Sequence, residues 1–141
     1  MKRFIILISI LMFSVSIHAD GFNSKKETRK YADKLVDFFI KKQFSKGLND
    51  AKKYWPLPAV EIDGMANKIN QQWPIVDQRF GKAISKEFVS SKSIGSSFIR
   101  YYYLHKFEKH SIYWRIDFYK PRNKWKINTL VFLDNHDSLY E

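Results

Sequence analysis

Five residues in one short stretch carry the side chains best suited to chemistry. Tyr101, Tyr103 and His105 stand at alternating positions, and Arg115 and Asp117 follow two apart. An imidazole or carboxylate held in a cavity with a shifted pKa is what general acid–base catalysis requires. His105, Asp117 and Asp63 are the candidates for that role, with Tyr101 and Tyr103 as hydrogen-bond donors. If the strand alternates cleanly, Tyr101, Tyr103 and His105 share one face, which would form a pocket wall. A plainer reading competes with this one. Strand tyrosines usually pack their rings and wet their hydroxyls, and Asp117 beside Arg115 makes a same-face charge pair on a solvated surface. With Arg100, these residues are the ligand-contacting candidates, and no catalytic set is assigned.

Metal chemistry finds little to work with. His105, His110, Asp134, His136 and Asp137 are the available ligands. Asp134 and His136 lie two apart in a polar tail, with no helix-borne histidine pair and no carboxylate-rich loop. No metal and no cofactor is expected. Cysteine is absent from the chain, which removes thiolate sites, thiol nucleophiles and disulfides together.

Basic residues interleaved with aromatics, as in Arg100-Tyr101-Tyr102-Tyr103 and Lys124-Trp125-Lys126, suggest base stacking on a strand. Alternation in a core sheet writes the same string, so nucleic acid is disfavoured as a partner.

The elements that must position these residues follow from periodicity. From Phe98 to Leu133 the chain is dense in β-branched and aromatic residues, broken by short polar turns. Strands are predicted over 83–93, 98–107, 112–120 and 125–133. In the third, Ile112, Trp114, Ile116 and Phe118 share one face. In the fourth, Trp125, Ile127, Thr129, Val131 and Leu133 share one side. Leu130 and Phe132 on its other side indicate burial on both faces toward its end.

Upstream, Ser24 to Glu27 fits a capping box that opens a helix. The stripe Tyr31, Ala32, Leu35, Val36, Phe38 and Phe39 continues it, and Gly47 is read as its left-handed stop. A short helical piece over 48–54 follows. A long amphipathic pattern then runs from Ala59 through Ile62, Met65, Ala66, Ile69, Trp73, Val76 and Phe80, with Gly81 closing it. Pro74 inside that pattern predicts a kink or a restart. Helices followed by strands make an α+β order. N-terminal helices on a curved antiparallel sheet of about four strands would leave a cone-like space for a ligand.

Met1-Lys2-Arg3, the apolar run Phe4–Ile17 and the small residue Ala19 have the layout of a secretory signal peptide cut before Asp20. Residues 1–19 are therefore expected to be a leader and residues 20–141 a single α+β domain, exported to a periplasmic or extracellular space. With no cysteine after the apolar run, a lipid-anchored form is excluded. The formal charge of +11 becomes +9 once Lys2 and Arg3 leave. A charge of that size suits an anionic envelope surface or an acidic partner, and equally keeps a surface soluble.

The order of elements, with Phe98–Leu104, Tyr113–Pro121 and Trp125-Lys126-Ile127, resembles the nuclear transport factor 2-like superfamily, above all its small secreted members. That resemblance implies a cone of helices and a curved sheet. It does not imply one activity, since the superfamily hosts isomerases, dehydratases, small-ligand binders and adaptors. Two functions are carried forward. The first is an exported non-catalytic binding or interaction module, its ligand or protein partner undefined. The alternative is a small-molecule enzyme, isomerase- or dehydratase-like, using a polar group in the cone. An enzyme requires a deep cavity where His105 or Asp117 meets a second polar group; a partner-binding module requires a filled core and an exposed aromatic patch on one sheet face.

Overall fold

A computed structural model describes residues 20–141. Three helices, α1 (Lys25–Ile40), α2 (Phe44–Ala51) and α3 (Ala59–Phe80), precede four strands, β1 (Ala83–Ile94), β2 (Phe98–Phe107), β3 (Ser111–Tyr119) and β4 (Lys126–Leu133). The strands form one antiparallel sheet in sequence order, β1-β2-β3-β4. The architecture is α+β, with the helices on one face of the sheet. The predicted leader lies outside the described residues.

Local chemistry sets the helix ends. The Ser24 side chain accepts from the Glu27 amide at 3.2 Å, as a cap should. Glu27 reaches back one residue further than the capping box predicts, accepting from the Asn23 amide at 2.6 Å. Gly47 does not stop α1. The helix ends at Ile40, Lys42 takes the left-handed turn with φ 58°, and Gly47 sits buried inside α2. A Cβ at Gly47 would stand 3.0 Å from the Phe38 Cβ and 3.2 Å from the Phe39 ring. This glycine is needed for close helix–helix approach, which leaves the same mark in a sequence as a stop signal.

α3 runs unbroken through Pro74, with no restart. Pro74 faces solvent, so water can satisfy the carbonyl its missing N–H leaves free. Gly81 closes the helix with φ 83°, its amide bonded to the Asp77 carbonyl at 3.0 Å.

The core forms where the helices' apolar stripes meet Ile99, Tyr101, Tyr103, His105, Ile112, Trp114, Ile116 and Phe118. At its centre Trp114 is wholly buried. Its ring lies 4.3 Å from Phe39, 5.2 Å from Phe132 and 6.3 Å from Trp73, centroid to centroid. Burying aromatic rings in this way dominates the apolar stabilisation of a domain this size.

The predicted face of β4 changes halfway along. Phe118 pairs with Ile127 but Asp117 pairs with Thr129, so Asn128 is an extra residue that bulges the strand. Ile127 therefore faces the core, and beyond the bulge Leu130 and Phe132 take over, while Thr129 and Val131 turn outward. Trp125 precedes the strand, bridged to Phe22 by two backbone hydrogen bonds of 2.8 and 2.9 Å.

Candidate functional site

The structure divides the five sequence-derived candidates between the two faces of the sheet. Tyr101, Tyr103 and His105 do share a face, and it is the core face. They pair with Ile116, Trp114 and Ile112 of β3 and are covered by the helices. Arg115 and Asp117 stand on the opposite face, with Arg100 and Tyr102. No cavity joins the two sets, because the sheet lies between them.

The inward tyrosines serve as bolts. Tyr101 shares a 2.8 Å hydrogen bond with the Thr28 hydroxyl and donates to the Lys25 carbonyl at 3.1 Å. Tyr103 donates to the Asp33 carboxylate at 2.6 Å, and Arg29 flanks the same carboxylate at 3.3 Å. The Arg29 guanidinium also lies 3.3 Å over the Phe88 ring. Burial, reinforced by the carboxylate that accepts its proton, pushes the Tyr103 hydroxyl well above its usual pKa. Both tyrosines fasten α1 to the sheet, and neither lines an open pocket.

His105 is sealed. It has no exposed surface and stacks with Phe107 at 4.3 Å and Trp73 at 5.6 Å. The Trp114 indole N–H donates to its Nδ1 at 3.2 Å, which places the ring proton on Nε2. That Nε2 has no hydrogen-bond partner in the structure. Burial, opposed only by the distant charge of Asp77, lowers the imidazole pKa to about 4. A neutral histidine enclosed by rings, meeting an indole instead of an acid or base, has no route to a substrate.

On the outer face Arg100 grips Asp117 with two 2.8 Å bonds, from Nε and Nη2. Asp117 thus pairs across strands with Arg100, and Arg115 stands 3.9 Å off with its Nε buried and unbonded. The C-terminal tail packs beside this patch through Ser138, bonded to the Tyr113 hydroxyl, and His136, bonded to Ser111, each at 2.9 Å. Leu139 is partly buried, while Tyr140 is 89% exposed. Asp63 pairs with Lys52 at 2.7 Å on the surface. Among the described residues, no group of three or more metal-ligating side chains is assembled.

What the sequence reading missed is a groove between α3 and the free side of β4, about 510 Å³ in volume. Its helix wall includes Met65, Ile69, Ile75 and Val76, and its floor Trp114, Leu130 and Phe132. Lys68 and Arg79 stand on its rim, and Asp134 closes one end. Ile75 is 58% exposed and Leu133 39%. An apolar cleft with few polar groups at its margin is the usual form of a ligand site. Ile75 was the available signal: it lies off the helix's core stripe, an apolar residue on a face otherwise polar.

No protein-family model matches the chain, and no curated protein or solved structure is significantly similar to it. The groove and the sealed interior therefore carry the functional argument.

Neutral His105 has a measurable consequence. The unfolded chain takes up a proton at this residue near pH 6.5, while the folded chain resists until about pH 4. Stability from this residue is therefore full above pH 6.5 and falls as pH drops toward 4, by about 3 kcal/mol in all. Urea unfolding between pH 7.5 and 4 should show this loss. His105→Phe should flatten the slope across that window, at a cost of roughly 1–3 kcal/mol for orphaning the Trp114 N–H. An unchanged slope in the variant would show that another group is responsible.

Proposed function

We propose that this protein is an exported binding module that holds an apolar occupant in the groove between α3 and β4 and performs no chemistry on it. The observation that carries the reading is the groove itself: an apolar cleft, open to solvent, bounded by Ile75 and Leu133 and rimmed by Lys68 and Arg79. Against an enzyme stands the disposition of His105 and Asp117, which lie on opposite faces of the sheet. His105 meets only rings, and Asp117 is fully engaged by Arg100. A group cannot act as acid or base on a ligand it does not reach.

Export is part of the same proposal, resting on the charged, apolar and small-residue order of residues 1–19. The likeness to the nuclear transport factor 2-like superfamily belongs here too, supported by helices followed by a four-stranded antiparallel sheet. The mature charge of +9 favours an anionic setting, an envelope surface among them.

The groove is tested with 1-anilinonaphthalene-8-sulfonate, an apolar fluorophore carrying one negative charge. It should bind saturably to the folded protein. Ile75→Glu places a carboxylate at an exposed position on the wall, so it should weaken binding by about tenfold or more while leaving the unfolding midpoint nearly unchanged. Equal binding by variant and parent would remove the groove from consideration. For export, cell fractionation should return a chain beginning at Asp20 outside the cytoplasm. A full-length chain retained inside would overturn that part of the proposal.

A further inference from the structure

We infer that the groove receives an extended polypeptide: an acidic, alternately apolar segment of a partner protein adds as a fifth strand to the open edge of β4. This rests on the groove being the binding site, and it names the kind of occupant.

β4 is an edge strand with β3 as its one strand neighbour. The start of its outer edge is already closed by main chain. Phe22 bridges Trp125, and the Ile127 amide donates to the Tyr54 carbonyl at 2.9 Å. Beyond Ile127, among the described residues, no backbone hydrogen bond joins this edge to another segment. The same edge thus accepts antiparallel pairing from Phe22 and, beyond Ile127, is left unpaired by the described residues.

The groove follows that open edge. It is lined by five consecutive residues, Leu130 to Asp134. Side chains alternate faces along a strand, so a cavity on one face would touch every second residue. Contact with each in turn means that the space runs beside the backbone. The last four strand residues and Asp134 after them extend about 17 Å, and the α3 wall from Met65 to Phe80 extends about 22 Å. The trough accommodates an extended segment of similar length, laid lengthwise.

The two edges of the sheet are treated differently. β1 carries Lys86, Glu87 and Lys92 and two register irregularities, the usual devices against unwanted pairing. Of the stretch of β4 beyond Ile127, Asn128 to Leu133, the last four residues Leu130-Val131-Phe132-Leu133 are apolar, and none of the six is charged. An edge left in this state is suited to pairing, with main-chain bonds supplying affinity and apolar pockets selecting alternate side chains.

Charge selects the partner. Lys68 and Arg79 flank the trough, and among the described residues neither has a carboxylate within 4.0 Å. A second copy of this chain would bring its own excess of cations against them, whereas an acidic segment neutralises both.

The test uses three eight-residue peptides alternating glutamate with valine, leucine or phenylalanine, labelled for fluorescence anisotropy. At least one should bind saturably, slow hydrogen exchange of backbone amides between Leu130 and Leu133, and weaken by about tenfold or more on N-methylation of its alternate amides. Lysine in place of glutamate in the peptide should abolish binding, and Lys68→Glu with Arg79→Glu should weaken the glutamate peptides. The inference is overturned if none of the three binds saturably, or if N-methylation has no effect. It is also overturned if sedimentation shows a dimer that Ile75→Glu dissolves, since the occupant is then a second copy. If the fluorophore is lost on Ile75→Glu and the peptides fail, strand addition falls and the groove stands. If the fluorophore is indifferent to Ile75→Glu, both fall.

Discussion

The packing of Trp114 is the contact on which the rest of the molecule depends. Its ring meets α1 through Phe39, α2 through Phe44, α3 through Trp73 and β4 through Phe132. Its indole N–H, which would be costly to bury unpaired, finds the His105 nitrogen across the β2–β3 pair. That bond fixes the histidine tautomer, and the stack of Trp73, His105 and Phe107 closes over it. A strand that looks chemically promising thereby becomes the inner wall of a core. The polar atoms of Tyr101 and Tyr103 reach past the core to α1, where Thr28 and Asp33 receive them. The groove lies at the margin of this core, beside α3 and β4.

That margin exists because α3 and the end of β4 diverge. Trp73 holds α3 against Trp114 and Phe80 holds it against Phe107 and His110 at the β2–β3 turn, while Ile75 and Leu133 remain partly open across the trough. The bulge at Asn128 matters here, because it turns Leu130 and Phe132 toward the helix and sends Thr129 and Val131 outward. Without it the floor beside α3 would be Thr129 and Val131, smaller and more polar.

The strand block and the amphipathic helices were legible in the sequence because period and burial agree there. β2 has the predicted bounds, and Ile112, Trp114, Ile116 and Phe118 face the core as alternation requires. The role of the site residues was not legible. Alternation places Tyr101, Tyr103 and His105 on one face without saying which, since Tyr102 and Tyr113 on the outer face are buried too. Gly47 carried the mark of a helix stop while serving close packing. The bulge left no local sign in Asn128-Thr129, and it reversed the side assigned to half of β4. The groove depends on the spacing of two elements some fifty residues apart, of which the local pattern records only the off-stripe Ile75.

The central claim is that the His105 imidazole is a buried structural group, kept neutral down to about pH 4. The 15N resonances of the His105 ring, followed by NMR against pH, test it most directly. The Nε2–H tautomer, with Nδ1 unprotonated and bonded to Trp114, should persist through pH 5 and titrate only near the value of about 4 set by burial. A ring that exchanges tautomers, or titrates near 6.5 as a solvated histidine does, would contradict it and return His105 to the list of candidate catalysts.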